Sequence, residues 1–267
     1  MRILTAPYYA LFSADFYRDV IGSSLRQGIL YLVYLSGCLT ILFAVVFAGF
    51  ILPRADAFSE WAASEMPPMT WTPEGLVMDG PSPYAMVHPD YGLMAVIDMT
   101  RTELSEDEMG DAAVYVTSRK LYVRDGRGGM RIHSLTRSER DLKPDQLAVF
   151  WDGARLREFY GKIRPWIFAV PAALAWPLLF VLKAGEAVLF SLPAFFIART
   201  RREPLDYAPA LNVSCFALTA STLIELRWMI PAVSQIPFGF IGAAIVTAGY
   251  LVFALKKTEY PEIPPAV

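Results

Sequence analysis

Between Gly28 and Leu52 the chain runs for twenty-five residues without a charged side chain. At 1.5 Å per residue, such a helix exceeds the ~30 Å hydrocarbon core of a bilayer. It is too long and starts too late for a secretory leader, whose apolar region runs ~7–15 residues. A spanning helix is therefore expected, and the rest of the chain has to be compatible with lipid. Composition agrees: 55% of the 267 residues are hydrophobic, 19% are charged, and mean hydropathy is positive at +0.37. Net charge is −2, without a massed basic region, which argues against nucleic acid as a partner.

Three further apolar stretches follow. Trp166 to Ala198 covers 33 residues, more than one bilayer crossing and less than two with a loop. One long, tilted or kinked helix is expected there, with Pro171, Pro177 and Pro193 as kink positions and Lys183 and Glu186 paired at i, i+3. Ala208 to Leu226 is the most polar stretch, so it should face other helices. Ile236 to Leu255 is uncharged, with small residues four apart at Gly239 and Ala243 and at Ala244 and Ala248.

Basic residues in the short loops set an orientation. Arg18 and Arg26 precede the first stretch, Arg199, Arg201 and Arg202 follow the second, and Lys256 and Lys257 follow the fourth. The expected fold is a membrane all-α four-helix bundle with both termini cytoplasmic and a small α+β extracytoplasmic domain inserted after the first span. Its expected divisions are an interfacial amphipathic helix at 1–27, spans at 28–52, 165–198, 209–228 and 236–255, the outer domain at 53–164, a basic loop at 199–208 and a tail at 256–267. In a bacterium this orientation places the chain in the cytoplasmic (inner) membrane, with the outer domain towards the periplasm or cell exterior.

Leu11, Phe12, Phe16, Val20 and Ile21 recur at helical spacing before the first span, and predict a helix lying at the membrane surface. Within the outer segment, alternating or β-rich runs at Tyr84 to His88, Leu93 to Asp98, Val114 to Thr117, Leu121 to Arg124 and Met130 to Leu135 predict strands. Ser105 and Glu108 form the S-x-x-E signature of a helix start. Asp125 to Gly129 should turn a hairpin, and Pro144 should open a helix carrying Leu147, Phe150, Trp151, Ala154 and Phe159.

The order of these pieces resembles the bacterial membrane-protein family known as domain of unknown function 1189. The similar segments are Leu11 to Asp19 with its Phe-Tyr-Arg core, Pro73-Glu74-Gly75, Pro83-Tyr84, Val96 to Thr100, and Arg202 to Leu211 entering the third span. The resemblance implies four spans with an extracytoplasmic insert. It implies no chemistry, so no catalytic residue is carried over.

No H-E-x-x-H, G-x-S-x-G, phosphate-loop, G-x-G-x-x-G or paired C-x-x-C pattern is present, and no cofactor is expected. Cys38 and Cys215 read as small packing residues. His88 and His133, with Asp98 or Asp111, are the only material for a metal or acid–base pair in the outer segment, and structural roles for them are favoured. Asp98 is placed to accept backbone N–H bonds in a turn, and the acidic run Glu103 to Asp111 lacks the ligand spacing of a calcium loop.

The candidate site is an intramembrane polar seam on the third span: Asn212, Ser221, Thr222, Glu225 and Arg227. Ionisable groups at that depth are costly and tend to be paired or functional, although Arg227 beside Trp228 also fits interfacial anchoring. Three functions follow. The favoured one is a non-enzymatic subunit, in the lipid bilayer and with a membrane-protein complex as partner, whose outer domain binds a partner or a ligand of unknown identity. The others are a small permease or lipid-handling protein using the seam, and an envelope enzyme acting through the outer domain.

Overall fold

The computed structural model describes residues 3–125, 129–136, 149–226 and 240–258. It divides the chain into two compact units, 1–51 with 167–267, and 52–166.

The first unit is helical. α1 (Ala6–Phe12) and α2 (Ala14–Ile21) stand where one surface helix was expected. Ser13 separates them: its backbone is extended, and its hydroxyl accepts the Phe16 N–H at 3.2 Å, the usual N-cap arrangement. Phe16, Tyr17 and Val20 are buried in the unit's core rather than laid along headgroups, and the Tyr17 hydroxyl donates to Ala10 O at 2.8 Å. α3 (Leu25–Val46) follows and passes into a π-helical segment, Phe47–Ile51. α6 (Tyr207–Glu225) is the centre of the unit, packed by α1, α2, α3 and α7 (Phe240–Lys257).

Gly28 is what lets α3 and α6 approach. A Cβ at that position would lie 2.3 Å from Asn212 Oδ1 and 3.2 Å from Cys215 Sγ. Phe216 fills the space beside it, stacked on Tyr31 with centroids 4.3 Å apart and edge-on to Phe16 at 5.4 Å.

The second unit begins with α4 (Leu52–Glu65), so helix continues past residue 52, where the first span was expected to end. Pro53 lies inside a continuous helix, Leu25–Glu65, and the π-helical turn Phe47–Ile51 directly before it is the kind of local widening that accommodates a proline ring. Two sheets follow. One is three-stranded in the order β2–β1–β8, built from β1 (Met69–Thr72), β2 (Gly75–Met78) and β8 (Val149–Trp151), all antiparallel. The other is five-stranded in the order β3–β4–β5–β6–β7: β3 (Tyr84–His88), β4 (Gly92–Asp98), β5 (Val114–Thr117), β6 (Lys120–Arg124) and β7 (Met130–Ser134). Only β4 and β5 pair in parallel, and a short 3₁₀ helix (Glu106–Met109) lies in the crossover this requires. The capping box expected at Ser105 and Glu108 is present.

Alternation sorts the five-stranded sheet's side chains. Ile97 and Val116 join Met69, Met86 and Trp61 in one cluster, whereas Val96 and Tyr115 join Leu104, Met109 and Tyr122 in another. Gly75 has φ +142°, and a Cβ there would sit 2.1 Å from Ser118 O, because its neighbour's N–H reaches that same carbonyl at 2.7 Å.

α5 (Gly153–Arg199) is one 47-residue helix, with Pro165, Pro171, Pro177 and Pro193 inside it. Its first turn is capped by Asp152, whose carboxylate accepts the Arg155 N–H at 2.8 Å. The helix expected from Pro144 therefore begins later, since Val149, Phe150 and Trp151 pair with β1 instead. Pro144, Leu147 and the tip of the Asp125 to Gly129 hairpin lie outside the described residues.

The all-α four-helix bundle is thus corrected. Helices share the fold with two β-sheets, and among the described residues three helices, Leu25–Glu65, Gly153–Arg199 and Tyr207–Glu225, are long and apolar enough to cross a membrane. The fourth expected segment is described only from Phe240, and its last two helical residues are lysines.

Candidate functional site

Four of the five seam residues belong to α6 or its end, and Arg227 lies outside the described residues. They do not form one face. At about 100° per residue, Asn212 and Ser221 point in opposite directions, and Asn212 and Glu225 stand ~140° apart.

Asn212 is fully buried and serves as a tie. Its amide nitrogen donates to Val20 O at 2.8 Å and to Ser23 Oγ at 2.7 Å, capturing the carbonyl end of α2. Ser221 turns back on its own helix, donating to Leu218 O at 3.0 Å, as Ser214 does to Ala210 O at 2.9 Å. Thr219 donates to Phe216 O at 2.6 Å and also meets the Tyr31 hydroxyl. Such bonds satisfy a hydroxyl where water is absent. Thr222 Oγ1 and Asn212 Oδ1 are buried without a hydrogen-bond partner among the described residues.

Glu225 takes part in an ion pair that sequence spacing did not reveal. Lys183 of α5 bonds to Glu225, and its ammonium also reaches Glu186 at 2.8 Å, the i, i+3 partner that was expected. Only 3% of the lysine side chain is exposed, against 24% for Glu186 and 35% for Glu225. One cation therefore bridges two carboxylates within apolar helices, which satisfies the rule that a charge removed from water must be paired. Part of the signal was in the sequence: a lysine inside a long apolar stretch needs a counter-charge, and Glu225 is a carboxylate at the end of another apolar stretch.

The second unit holds its polar groups differently. Asp98 accepts from Thr100 N–H at 3.0 Å, Thr100 Oγ1 at 2.6 Å, Tyr115 OH at 3.0 Å and Ser82 Oγ at 3.3 Å, with Arg101 Nε at 3.5 Å. Burial raises its pKa, but these bonds together outweigh burial and leave it below the ordinary carboxylate value. Asp98 thus fixes the turn after β4. In the acidic run, Glu103 pairs with Lys120 at 2.6 Å and Glu108 with Arg101 at 3.0 Å.

His88 and His133 are not a pair. They sit on β3 and β7, the two edges of the five-stranded sheet, four strand spacings of ~4.8 Å apart. His88 packs among Trp61, Phe58 and Tyr91, with its Nδ1 accepting the Asp90 N–H at 3.0 Å. Among the described residues no three metal-ligating side chains converge. Cys38 is exposed and Cys215 is buried, both as free thiols.

Within the second unit, α4 is fastened to the start of α5. Arg164 forms a two-pronged bond to Asp56 at 2.7 and 2.8 Å, Tyr160 OH adds a third at 2.8 Å, and Arg157 grips Glu60 at 2.7 Å. The Arg164 and Tyr160 bonds bring the Asp56 carboxyl down to about 2. Gly153 lies so close to Ala63 that a Cβ would fall 1.9 Å from its carbonyl oxygen. An open cavity of about 560 Å³ flanks this junction, lined by Trp151, Asp152, Arg155, Glu158, Phe159 and Lys162. Arg155 lies over the Trp151 ring at 5.8 Å, and Phe159 is 48% exposed.

Among the described residues, three helices are long and apolar enough to cross a membrane, and an α+β unit is inserted between stretches of apolar helix. The chain belongs to the family described as Protein of unknown function (DUF1189), whose model matches residues 7–255. No curated protein and no solved structure gives a significant match.

Proposed function

We propose that this chain is a non-enzymatic subunit of a bacterial cytoplasmic membrane, whose 52–166 unit lies on the outer side and binds a protein partner. The observation that carries this reading is the contrast in what is left open. The polar side chains of α6 are directed mainly to backbone carbonyls and to Lys183, whereas the Trp151 to Lys162 cavity presents an aromatic surface rimmed by two cations and two carboxylates. Exposed aromatic side chains flanked by charge are the composition of binding hot spots. The basic residues near Arg199 to Arg202 and at Lys256 and Lys257 support the orientation.

Purification of the intact protein from its native membrane in mild detergent tests the proposal, with Phe159→Ser and Lys162→Glu variants alongside. A partner at near-stoichiometric yield with the wild type, lost from both variants at unchanged protein level, is expected. A protein that purifies alone, or a partner indifferent to both changes, overturns it. Reporter fusions after Asp79 and after Arg202 should read as outside and inside, respectively.

A further inference from the structure

Leu11 of α1 and one face of α7 line an open apolar groove of about 500 Å³, formed with Ile245, Val246, Gly249, Tyr250 and Phe253. Its size falls within the ~300–1,000 Å³ range of small-molecule sites. The groove is long rather than round, because Ile245 and Phe253 stand ~12 Å apart along the α7 axis. Gly249 forms part of its floor, and a Cβ there would meet nothing within 4 Å, so the space is open at the surface.

One end of the groove is basic. Lys257 lies over the Phe253 ring, its ammonium 5.3 Å from the centroid, and Lys256 is exposed beside it. Arg201 bonds to Leu255 O and, at 2.8 Å, to Thr258 Oγ1, bringing the basic Arg199 to Arg202 turn to the same helix end. On the α1 and α2 side, Asp15 is paired with Arg18. An apolar slot that ends in cations matches a molecule with an acyl chain and an anionic head.

We infer that the α1–α7 groove is a binding site for one anionic glycerophospholipid, with an acyl chain along Gly249 and the phosphate at Lys256 and Lys257. This rests on the membrane reading above. The two helices then acquire a shared purpose: α1 supplies Leu11 as one wall, and α7 supplies the floor and, in its last turn, the charge.

The test uses the full chain in nanodiscs of equal parts phosphatidylglycerol and phosphatidylcholine, extracted into detergent and weighed intact with retained lipid. Wild type should keep phosphatidylglycerol over phosphatidylcholine by about fivefold for each contacting lysine, the factor given by ~1 kcal/mol per basic residue. Gly249→Leu starts from a Cβ with open space around it, puts a branched side chain into the slot and should abolish retention. Lys256→Gln with Lys257→Gln should abolish the preference while neutral lipid is still retained. Equal retention of both lipids by wild type, or an unchanged preference in Gly249→Leu, overturns the site. Release of the chain from native membranes by alkaline carbonate would instead overturn the membrane reading itself, and with it the site.

Discussion

Lys183–Glu225 and Arg164–Asp56 are the same kind of interaction in different surroundings. The first lysine is 3% exposed, whereas the arginine and aspartate of the second are 49% and 36% exposed. Water can replace either partner in the second pair, but not the lysine's partners in the first. Removing one member should therefore be costly in the helical unit and nearly silent in the 52–166 unit, although the exposed pair has the better two-pronged geometry.

The largest effect is expected from Lys183→Met, which leaves two carboxylates without their cation. A loss of about 3 kcal/mol, seen as reduced thermal stability in detergent and reduced membrane accumulation, is predicted. An unchanged protein would mean that water reaches this cluster.

Gly28→Ala follows, since the new methyl would collide with Asn212 Oδ1. A cost of about 2 kcal/mol is predicted, in the range for overpacking, and shortening the obstacle with Asn212→Ala should recover only part of it, because the α2 tie is then lost. Full recovery would show that the tie is dispensable.

Asp98→Ala, in the second unit, removes the acceptor of four hydrogen bonds at a buried site. A loss of about 2 kcal/mol is expected, measured as the unfolding midpoint of the intact chain. It should show that burial, rather than unit, decides the cost.

The smallest effect belongs to Asp56→Asn. Because the folded carboxyl is held at about 2 against an ordinary 3.8, its contribution is complete above pH 3.8 and is lost as pH falls towards 2. The variant and wild type should differ little at neutral pH and converge further in acid. A large difference at neutral pH would break the comparison.

Much of this was readable from local pattern. Strands β3 and β5 alternate in burial, β4 reads as a short β-rich apolar run, and Ser105 with Glu108 is a local cap signature. β1 and β2 were obscured by Pro67, Pro68 and Pro73, though Pro73 and Glu74 in fact form their turn. β8 was assigned to a helix because three residues carry no period, and only pairing with β1 defines them. The seam was named residue by residue, but its division into two faces and the reach of Lys183 across 42 positions are tertiary facts. Local sequence marks which groups are polar in apolar surroundings; packing decides whether they meet a ligand or each other.

The most direct test replaces the whole buried cluster, Lys183→Met with Glu186→Gln and Glu225→Gln, and follows both accumulation in the membrane and partner recovery. If the cluster serves only to hold the helices, the triple variant accumulates better than Lys183→Met alone and recovers the partner at the wild-type ratio. A triple variant that is stably folded in the membrane yet has lost the partner would contradict the account and place function in the helical unit.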